Sequence, residues 1–359
     1  MHSPLRRTLV LGGTASLLAS CATAATHKRA SKKTVALADD DSPDAISYGS
    51  REDVMRFADA VAERRGLDAA WLRKSLAQAR FQPLVTRYIM PTAAGAAKNW
   101  NAYRARFVEP IRIRAGTAFW RSNARWLAQA EEIYGVAPEV IVGIVGVESI
   151  YGRQMGNFRI IDALATLAFD FPSGRTDRSA FFRDELENWF VLCNSEGIDP
   201  LAWRGSYAGA IGMAQFMPSS FNRFAVDFDG DGHVDLHTSA ADVIGSVANY
   251  LAEFGWKRGL AARFDVEPPA DLEALALLLA PDIVPTFTAA EMVERGAKLP
   301  DAALAVESLL ALVELQNGDA APTYVAGTSN FYALTRYNWS SYYAMAVLAL
   351  GETVRPLAR

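Results

Sequence analysis

The sequence predicts a mainly α-helical (α+β) fold, and three observations support this class. Apolar residues recur at helix spacing through most of the chain after residue 49, as at Val54, Ala58 and Val61. Residues that begin or end helices bracket these segments: Asp68 can cap one, and Gly66 can end the helix before it. Strand signals are few, and the sequence has no internal repeat of fixed period.

The helix that ends near Glu148 is expected to be buried. An apolar face from Trp126 to Tyr134 precedes it, and Gly135 can close that earlier helix. Pro138 suits a first helical turn, and the residues that follow are apolar on every side, so this helix should be buried. We expect further helices near 181–193, 239–254, 270–280, 301–316 and 341–351.

The first 48 residues predict an export signal and a tether. Arg6 and Arg7 precede a run of apolar or small residues, Leu9–Ser20, and these twelve residues are too few for a membrane span, so residues 1–20 suit a signal peptide. The run ends Leu18-Ala19-Ser20-Cys21, which resembles a bacterial lipobox and implies cleavage before Cys21 and lipidation of its thiol. Ala22 then favours the periplasmic face of the outer membrane. An ordinary secreted protein cut nearby is the alternative, and polar residues 21–48 suit a flexible tether.

Composition limits the chemistry that the chain can perform. A net charge of −4 has no nucleic-acid signature. His2 and His27 fall in the signal peptide and tether, so only His233 and His237 remain for the body, too few for a Ser-His-Asp triad or an H-E-x-x-H zinc site. Cys193 lies in an apolar segment and is expected to be a buried filler. Catalysis should therefore rest on carboxylates, hydroxyls, amides and tyrosines, with no cofactor required.

Glu148 is the first candidate for that chemistry. It ends a run that is otherwise almost wholly apolar, and apolar surroundings should raise a carboxyl pKa. A raised pKa is what a general acid needs near neutral pH. The alternative is a helix-end glutamate that reaches solvent and does no chemistry.

Two further segments carry groups that could bind a glycan. Residues 205–220 are dense in glycine and contain Ser206 and Gln215, which can read sugar hydroxyls and acetamido groups. Residues 330–340 are rich in aromatic and amide side chains, and aromatic faces stack on sugar rings. A glycine-rich packing turn and core-packing tyrosines are the respective alternatives.

Together these segments resemble the membrane-bound lytic murein transglycosylase B family over roughly residues 50 to 350. The shared motifs occupy residues 134–153, 162–170, 209–218, 245–250 and 330–338. The resemblance implies a catalytic region at 49–359 with a lysozyme-like core at about 115–260, an additional helical lobe and an EF-hand-like loop. It also implies cleavage of the β-1,4 bond between N-acetylmuramic acid and N-acetylglucosamine, which leaves 1,6-anhydromuramic ends. Glu148 matches the catalytic glutamate, and the positions matching the glycan groove are Tyr103, Ser206, Gln215, Tyr250, Tyr337, Asn338 and Tyr343.

One carboxylate can perform this reaction if the substrate supplies the remaining groups. Ordinary glycoside hydrolases need two carboxylates. Asp162 and Asp170 are the nearest rivals for a second one, and we expect both to brace helices. The alternatives are a conventional muramidase-type hydrolase that uses water, and a catalytically silent glycan-binding lipoprotein. Expected partners are peptidoglycan strands, the membrane through the lipid, and cell-wall enzyme complexes.

The segment 227–238 resembles an EF-hand calcium loop. Asp227, Asp229 and Asp231 fill positions 1, 3 and 5, and Gly232 fills the turn position. His233 would offer its carbonyl and Asp235 stands at position 9. Thr238 replaces the usual bidentate glutamate at position 12, which should weaken binding. We expect a structural Ca²⁺, with a metal-free turn as the alternative.

Overall fold

The computed structural model describes residues 46–91 and 98–358. The predicted signal peptide, Cys21 and the tether as far as residue 45 lie outside these residues. The described chain forms two compact units. We call residues 46–91, 107–253 and 350–358 the core unit, and residues 98–106 and 254–349 the sheet unit.

Sixteen α-helices and five strands form the described part of the chain. A short 3-10 helix, Tyr48–Ser50, precedes the first helix. The α-helices are α1 Glu52–Arg65, α2 Ala69–Ala77, α3 Pro83–Tyr88, α4 Trp100–Phe107, α5 Pro110–Ser122, α6 Ala124–Tyr134, α7 Pro138–Ser149, α8 Ile160–Phe169, α9 Ser179–Glu196, α10 Pro218–Phe224, α11 Ala240–Glu253, α12 Leu272–Leu279, α13 Ala289–Glu294, α14 Asp301–Leu304, α15 Ser329–Tyr337 and α16 Ser341–Ala358. The strands are β1 Phe158–Arg159, β2 Arg204–Gly205, β3 Arg263–Asp265, β4 Ala311–Asn317 and β5 Ala320–Gly327.

The core unit is built around α7 and α8, whose residues are almost all buried. Helix α7 packs against α5, α6 and α11, and α8 packs against α9. The last turns of α16 also contact α7: Arg355 Nη1 lies 2.8 Å from Glu139 Oε1. Strands β1 and β2 pair antiparallel, with Phe158 opposite Gly205. The Arg355–Glu139 contact holds the first turn of the helix that carries Glu148.

The sheet unit contains a three-stranded antiparallel sheet in the order β3-β5-β4. Val313 lies opposite Val325, and the register shifts between Leu315 and Asn317. Leu278 of α12 and Met292 of α13 are fully buried in the cluster that covers this sheet. The sheet unit therefore has a small apolar core of its own.

Most helix predictions are confirmed, and one is wrong. Helices α9, α11, α12 and α16 lie at the expected places, and α16 continues seven residues past 351. The helix expected over 301–316 is instead the four-residue α14 followed by β4. Residues 311–317 pair with β5, and Gly318, at φ 65°, makes the turn between the strands, so strand pairing overrides the local helix signal.

The body also begins earlier than expected. The Ser47 side chain caps the 3-10 helix and Tyr48 is buried, although both were predicted to lie in the tether. Within residues 46–91 and 98–358, none of the helices has the length and apolar composition needed to cross a bilayer.

Candidate active site

Glu148 lies in the last turn of α7, where the buried helix reaches the surface of its unit. Pro138 occupies the first turn, as predicted, and every residue from Val140 to Val147 is buried. Glu148 is half-buried, and its neighbour Ser149 is fully buried. The prediction of a buried helix is confirmed. The Glu148 carboxylate lies at the C-terminal end of this helix.

The turn after Glu148 has an unusual backbone. Ile150 and Tyr151 have φ angles of 51° and 55°, in the left-handed region that non-glycine residues rarely adopt. The Ser149 hydroxyl donates to the Met213 carbonyl at 2.8 Å and accepts from the Gly152 N–H at 3.0 Å. These contacts tie the end of α7 to the glycine-rich segment.

Ser206 and Gln215 both lie on that segment, as the sequence predicts. The Ser206 hydroxyl accepts the N–H groups of Ala208 and Ala210 at 3.3 and 3.0 Å. The Gln215 amide donates to the carbonyls of Gly212 and Met155 at 2.8 and 3.2 Å. Both side chains are thus oriented by backbone groups. Since Met213 contacts Ser149, the segment lies against the turn that follows Glu148.

Tyr250 is placed in the same unit by α11. Its ring packs on Phe216 and Phe224, with centroids 5.6 and 4.9 Å apart. The side chain is only 6 % exposed. Tyr250 therefore supports the glycine-rich segment through Phe216, the residue after Gln215.

The remaining predicted glycan contacts belong to the sheet unit. Tyr103 on α4 packs against Trp100 and Tyr342, and the Arg106 guanidinium lies 5.4 Å from its ring. Tyr337 and Tyr343 stack with centroids 6.3 Å apart. Asn338 is the C-cap of α15. Tyr343 is fully buried, so within this unit it supports Tyr337 rather than offering a face of its own.

The two rival carboxylates have structural partners. Asp162 is fully buried and accepts from Arg159 Nε and Nη2 at 2.8 and 2.9 Å, and from the backbone N–H of Arg80 at 2.9 Å. Asp170 accepts the Tyr48 hydroxyl at 2.6 Å and Arg51 Nη1 at 2.7 Å. The expectation that both brace the fold is confirmed. Cys193 is also buried, as expected, and burial raises the pKa of its thiol.

Two aspartates of the acidic loop converge with a third carboxylate, Asp242, which the sequence did not lead us to expect. Asp227, Asp229 and Asp242 each offer an oxygen, and these atoms lie within 4.8 Å of one another. Asp242 stands in the first turn of α11 and accepts the N–H groups of Phe228 and Asp235, both at 2.8 Å. Burial, with Asp229 and Asp227 nearby, raises the pKa of Asp242.

The other predicted loop ligands have different contacts. The Thr238 hydroxyl donates to Asp235, whose carboxylate also accepts the His237 N–H at 2.7 Å. Asp231 accepts the His233 N–H at 2.9 Å. Thr238 therefore closes a turn, and the third converging carboxylate belongs to Asp242, four residues later. An aspartate in the first turn of the following helix was the signal that could have revealed this.

A half-buried carboxylate at a helix end, beside a segment of ordered hydroxyl and amide groups, can combine acid–base chemistry with recognition of a neutral, polar substrate. Comparison with known proteins identifies the class of enzyme. The chain belongs to the transglycosylase SLT domain family, whose model matches residues 49–352. It is therefore a lytic murein transglycosylase of mainly helical, lysozyme-like fold that cleaves peptidoglycan glycan strands.

Individual relatives support this assignment. The chain is 38% identical over 315 residues to the membrane-bound lytic murein transglycosylase B of Escherichia coli K12, covering 86% of this chain and 84% of that protein. The crystal structure of soluble lytic transglycosylase SltB1 from Pseudomonas aeruginosa matches with a TM-score of 0.77 and 37% identity, over 85% of this chain and 98% of that one. Escherichia coli Slt35 in complex with calcium matches with a TM-score of 0.75 and 36% identity, over 88% and 96% of the two chains.

Proposed function

We propose that Glu148 performs both proton transfers of a non-hydrolytic cleavage between N-acetylmuramic acid and N-acetylglucosamine. The observation that carries this proposal is the place of Glu148 in the core unit. Glu148 is half-buried at the end of an apolar helix, and the Ser149 hydroxyl beside it bonds the Met213 carbonyl of the glycine-rich segment. For Asp162 or Asp170 to serve as the second carboxylate of ordinary hydrolysis, it would have to give up its ion pair with an arginine.

The chemistry balances with one protein carboxyl group. Glu148 donates its proton to the glycosidic oxygen, and the bond from C1 of the muramic residue to that oxygen breaks. The 2-acetamido group of the same sugar stabilises the cationic centre. The Glu148 carboxylate then removes the proton of the C6 hydroxyl, and that oxygen bonds to C1. The product carries a 1,6-anhydro ring, no water is consumed, and Glu148 is again protonated.

The neutral groups near the turn suit the substrate. Ser206 and Gln215 are fixed by the backbone, so they can recognise hydroxyl and acetamido groups with little loss of side-chain entropy. Tyr103, Tyr337 and Asn338 keep their predicted roles as glycan contacts. The buried Tyr250 and Tyr343 act by supporting their neighbours.

Mass spectrometry of products from purified sacculi tests this function. Anhydromuramic ends support the proposal. Reducing ends would identify a conventional hydrolase, and absence of cleavage would identify a glycan-binding protein. Glu148→Gln keeps the shape and removes proton transfer, so we expect turnover to fall by at least about 10²-fold with glycan binding retained. Near-normal turnover by the folded variant would overturn the role of Glu148.

We further propose a structural Ca²⁺ held by Asp227, Asp229 and Asp242, with the Asp231 carboxylate and the His233 carbonyl completing an oxygen site. Two carboxylates of the loop and one of α11 converge here, and they repel each other unless a cation lies between them. The relative Slt35 has a crystal structure in complex with calcium, which supports the assignment. The ion would hold the loop against α11, and the proton transfers remain with Glu148.

The proposed location is the periplasmic face of the outer membrane, with lipid on Cys21. The membrane-bound Escherichia coli relative supports attachment. Cys21→Ser should stop incorporation of labelled palmitate and release active protein from the membrane fraction. Labelling that persists in this variant would contradict the lipobox interpretation. Partner enzymes of the cell wall remain a prediction, which co-purification from detergent extracts can test.

A further inference from the structure

The Tyr151 side chain fills a slot between two helices of the core unit, three residues after Glu148. The slot exists because both helices have a glycine there, Gly116 on α5 and Gly146 on α7. A methyl group at either glycine would overlap the Tyr151 hydroxyl, and would lie 2.9 or 2.7 Å from the ring carbon that bears it. The phenol therefore fits only because neither position has a side chain.

Other groups complete the walls of this slot. The Phe119 ring lies 5.2 Å from the Tyr151 ring, and Arg112 Nε donates to the Gly146 carbonyl at 3.2 Å. Leu350 and Val354 of α16 close it, since methyl groups at Gly146 and Gly116 would lie 2.6 and 2.9 Å from them. Burial raises the pKa of Tyr151, and within the described residues its hydroxyl has no hydrogen-bond partner. The ring is thus held mainly by shape.

The backbone that leads into the slot is strained. Ile150 and Tyr151 are consecutive non-glycine residues at positive φ, which the surrounding structure must enforce. Backbone hydrogen bonds such as Gln154 N–H to the Ser149 carbonyl, at 2.8 Å, contribute to this. Two side-chain contacts add to them: the Ser149 hydroxyl accepts the Gly152 N–H, and the Tyr151 ring lies between α5 and α7. Without the ring, the turn could relax, and the last turn of α7 would lose its end point.

We propose that Tyr151 is a positioning residue for Glu148. Its ring holds the left-handed turn closed and so fixes the direction in which the Glu148 carboxylate leaves α7. This inference rests on the proposed role of Glu148 as acid and base. It assigns to Tyr151 no contact with substrate, so its loss should lower kcat and leave the KM for glycan nearly unchanged.

A double-mutant cycle between Tyr151 and Gly116 tests the proposal. Tyr151→Leu removes the ring, and Gly116→Ala displaces it without altering Tyr151. For each variant, kcat, KM and Tm are measured on glycan strands. We expect each single change to lower kcat by at least about 10-fold with KM within about twofold, because misplacing a catalytic group by about 1 Å can cost 10²-fold. The double variant should be no slower than Tyr151→Leu, because the added methyl then meets no ring.

Two controls separate positioning from general destabilisation. Tyr151→Phe keeps the ring and should recover most of the kcat that Tyr151→Leu loses. Leu76→Ala leaves a cavity at the fully buried face of α2, which packs on α1, so it should lower Tm and leave the kcat of folded molecules unchanged. If Tyr151→Leu does not fold, the kcat values of the single variants Gly116→Ala and Tyr151→Phe decide the question.

The outcomes distinguish this proposal from the function on which it rests. Normal kcat in folded Tyr151→Leu or Gly116→Ala, with Glu148→Gln inactive, overturns the positioning role alone. Additive losses in the double variant also overturn it. Normal turnover by Glu148→Gln overturns the role of Glu148, and the positioning role falls with it.

Discussion

The Ser149 hydroxyl lies 2.8 Å from the carbonyl oxygen of Met213 and joins the end of α7 to the glycine-rich segment. Glu148 is the residue before Ser149, and Gln215 lies two residues after Met213. This part-buried hydrogen bond connects the chain segments that carry the proposed acid and one proposed glycan contact.

Ser149→Ala should damage both stability and turnover. The change leaves the Met213 carbonyl and the Gly152 N–H without this partner, and such losses cost about 1–3 kcal/mol of unfolding free energy. We expect a lower Tm and a reduced kcat, measured by thermal melting and glycan turnover. Ser195→Ala is a suitable control because that hydroxyl only bonds the carbonyl of Leu192 within its own helix. Equal effects of the two substitutions would contradict the linking role of Ser149.

Calcium should raise the melting temperature through Asp242. A ligand at a hundredfold excess over its dissociation constant stabilises the native state by about 2.7 kcal/mol. Asp242→Asn and Asp229→Asn should remove the calcium-induced shift in Tm, because each takes a charge from the converging group. Thr238→Val serves as the matched control, since its hydroxyl donates to Asp235, and this variant should keep the shift. A wild-type melting curve that millimolar calcium leaves unmoved would show that the loop is only a turn.

Asp162→Ala should lower the free energy of unfolding and have no direct effect on the catalytic step. The substitution leaves Arg159 beside a vacated, fully buried site, and breaking a buried pair costs about 3–5 kcal/mol. Urea denaturation measures this loss. Asp59→Ala removes an ion pair with Arg73 at the surface and should change little. If folded Asp162→Asn lost activity as severely as Glu148→Gln, Asp162 would be a second catalytic carboxylate.

Glu185 should make the protein less stable as the pH rises. It is buried on α9 and accepts the Ser219 hydroxyl and N–H at 2.6 and 2.9 Å, and burial raises its pKa. The native state therefore binds more protons than the unfolded state between the ordinary and the raised pKa. The associated stability is fully present below the ordinary carboxyl pKa and is lost as pH rises through the raised value.

Glu185→Gln tests this pH dependence. The amide keeps the shape and cannot ionise, so the unfolding free energy of the variant relative to wild type should increase from pH 4 to pH 8. Urea denaturation at several pH values measures the difference. Parallel curves for the two proteins would contradict the raised pKa.

Local signals predicted much of the fold, and tertiary contacts account for the rest. Gly66 and Gly135 end their helices in the left-handed conformation, and Asp68 caps α2, all as expected. The helix predicted over 301–316 was wrong because pairing with β5 is not local. The apolar neighbours of Glu148 made it a candidate, whereas its catalytic role came from the family resemblance of several segments and stays a prediction.

The candidate sites show the same division between local and distant information. Asp242 was missed because the loop was compared with a twelve-residue pattern, and its last acidic group comes from the following helix. The slot for Tyr151 depends on glycines of two helices and on α16, about 200 residues from α7 along the chain. Such an arrangement leaves no periodic signal in the sequence.

The contacts between α7 and the last turns of α16 set an order in time for folding. Leu350 lies against Gly146, and Arg355 pairs with Glu139, so residues that complete the wall of α7 are synthesised 204 positions after Gly146. At 5–20 residues per second, that interval is roughly 10 to 40 s. Until α16 packs, the side of α7 around Glu139 and Gly146 is uncovered. The core unit can therefore be completed only after the C-terminal helix has been made.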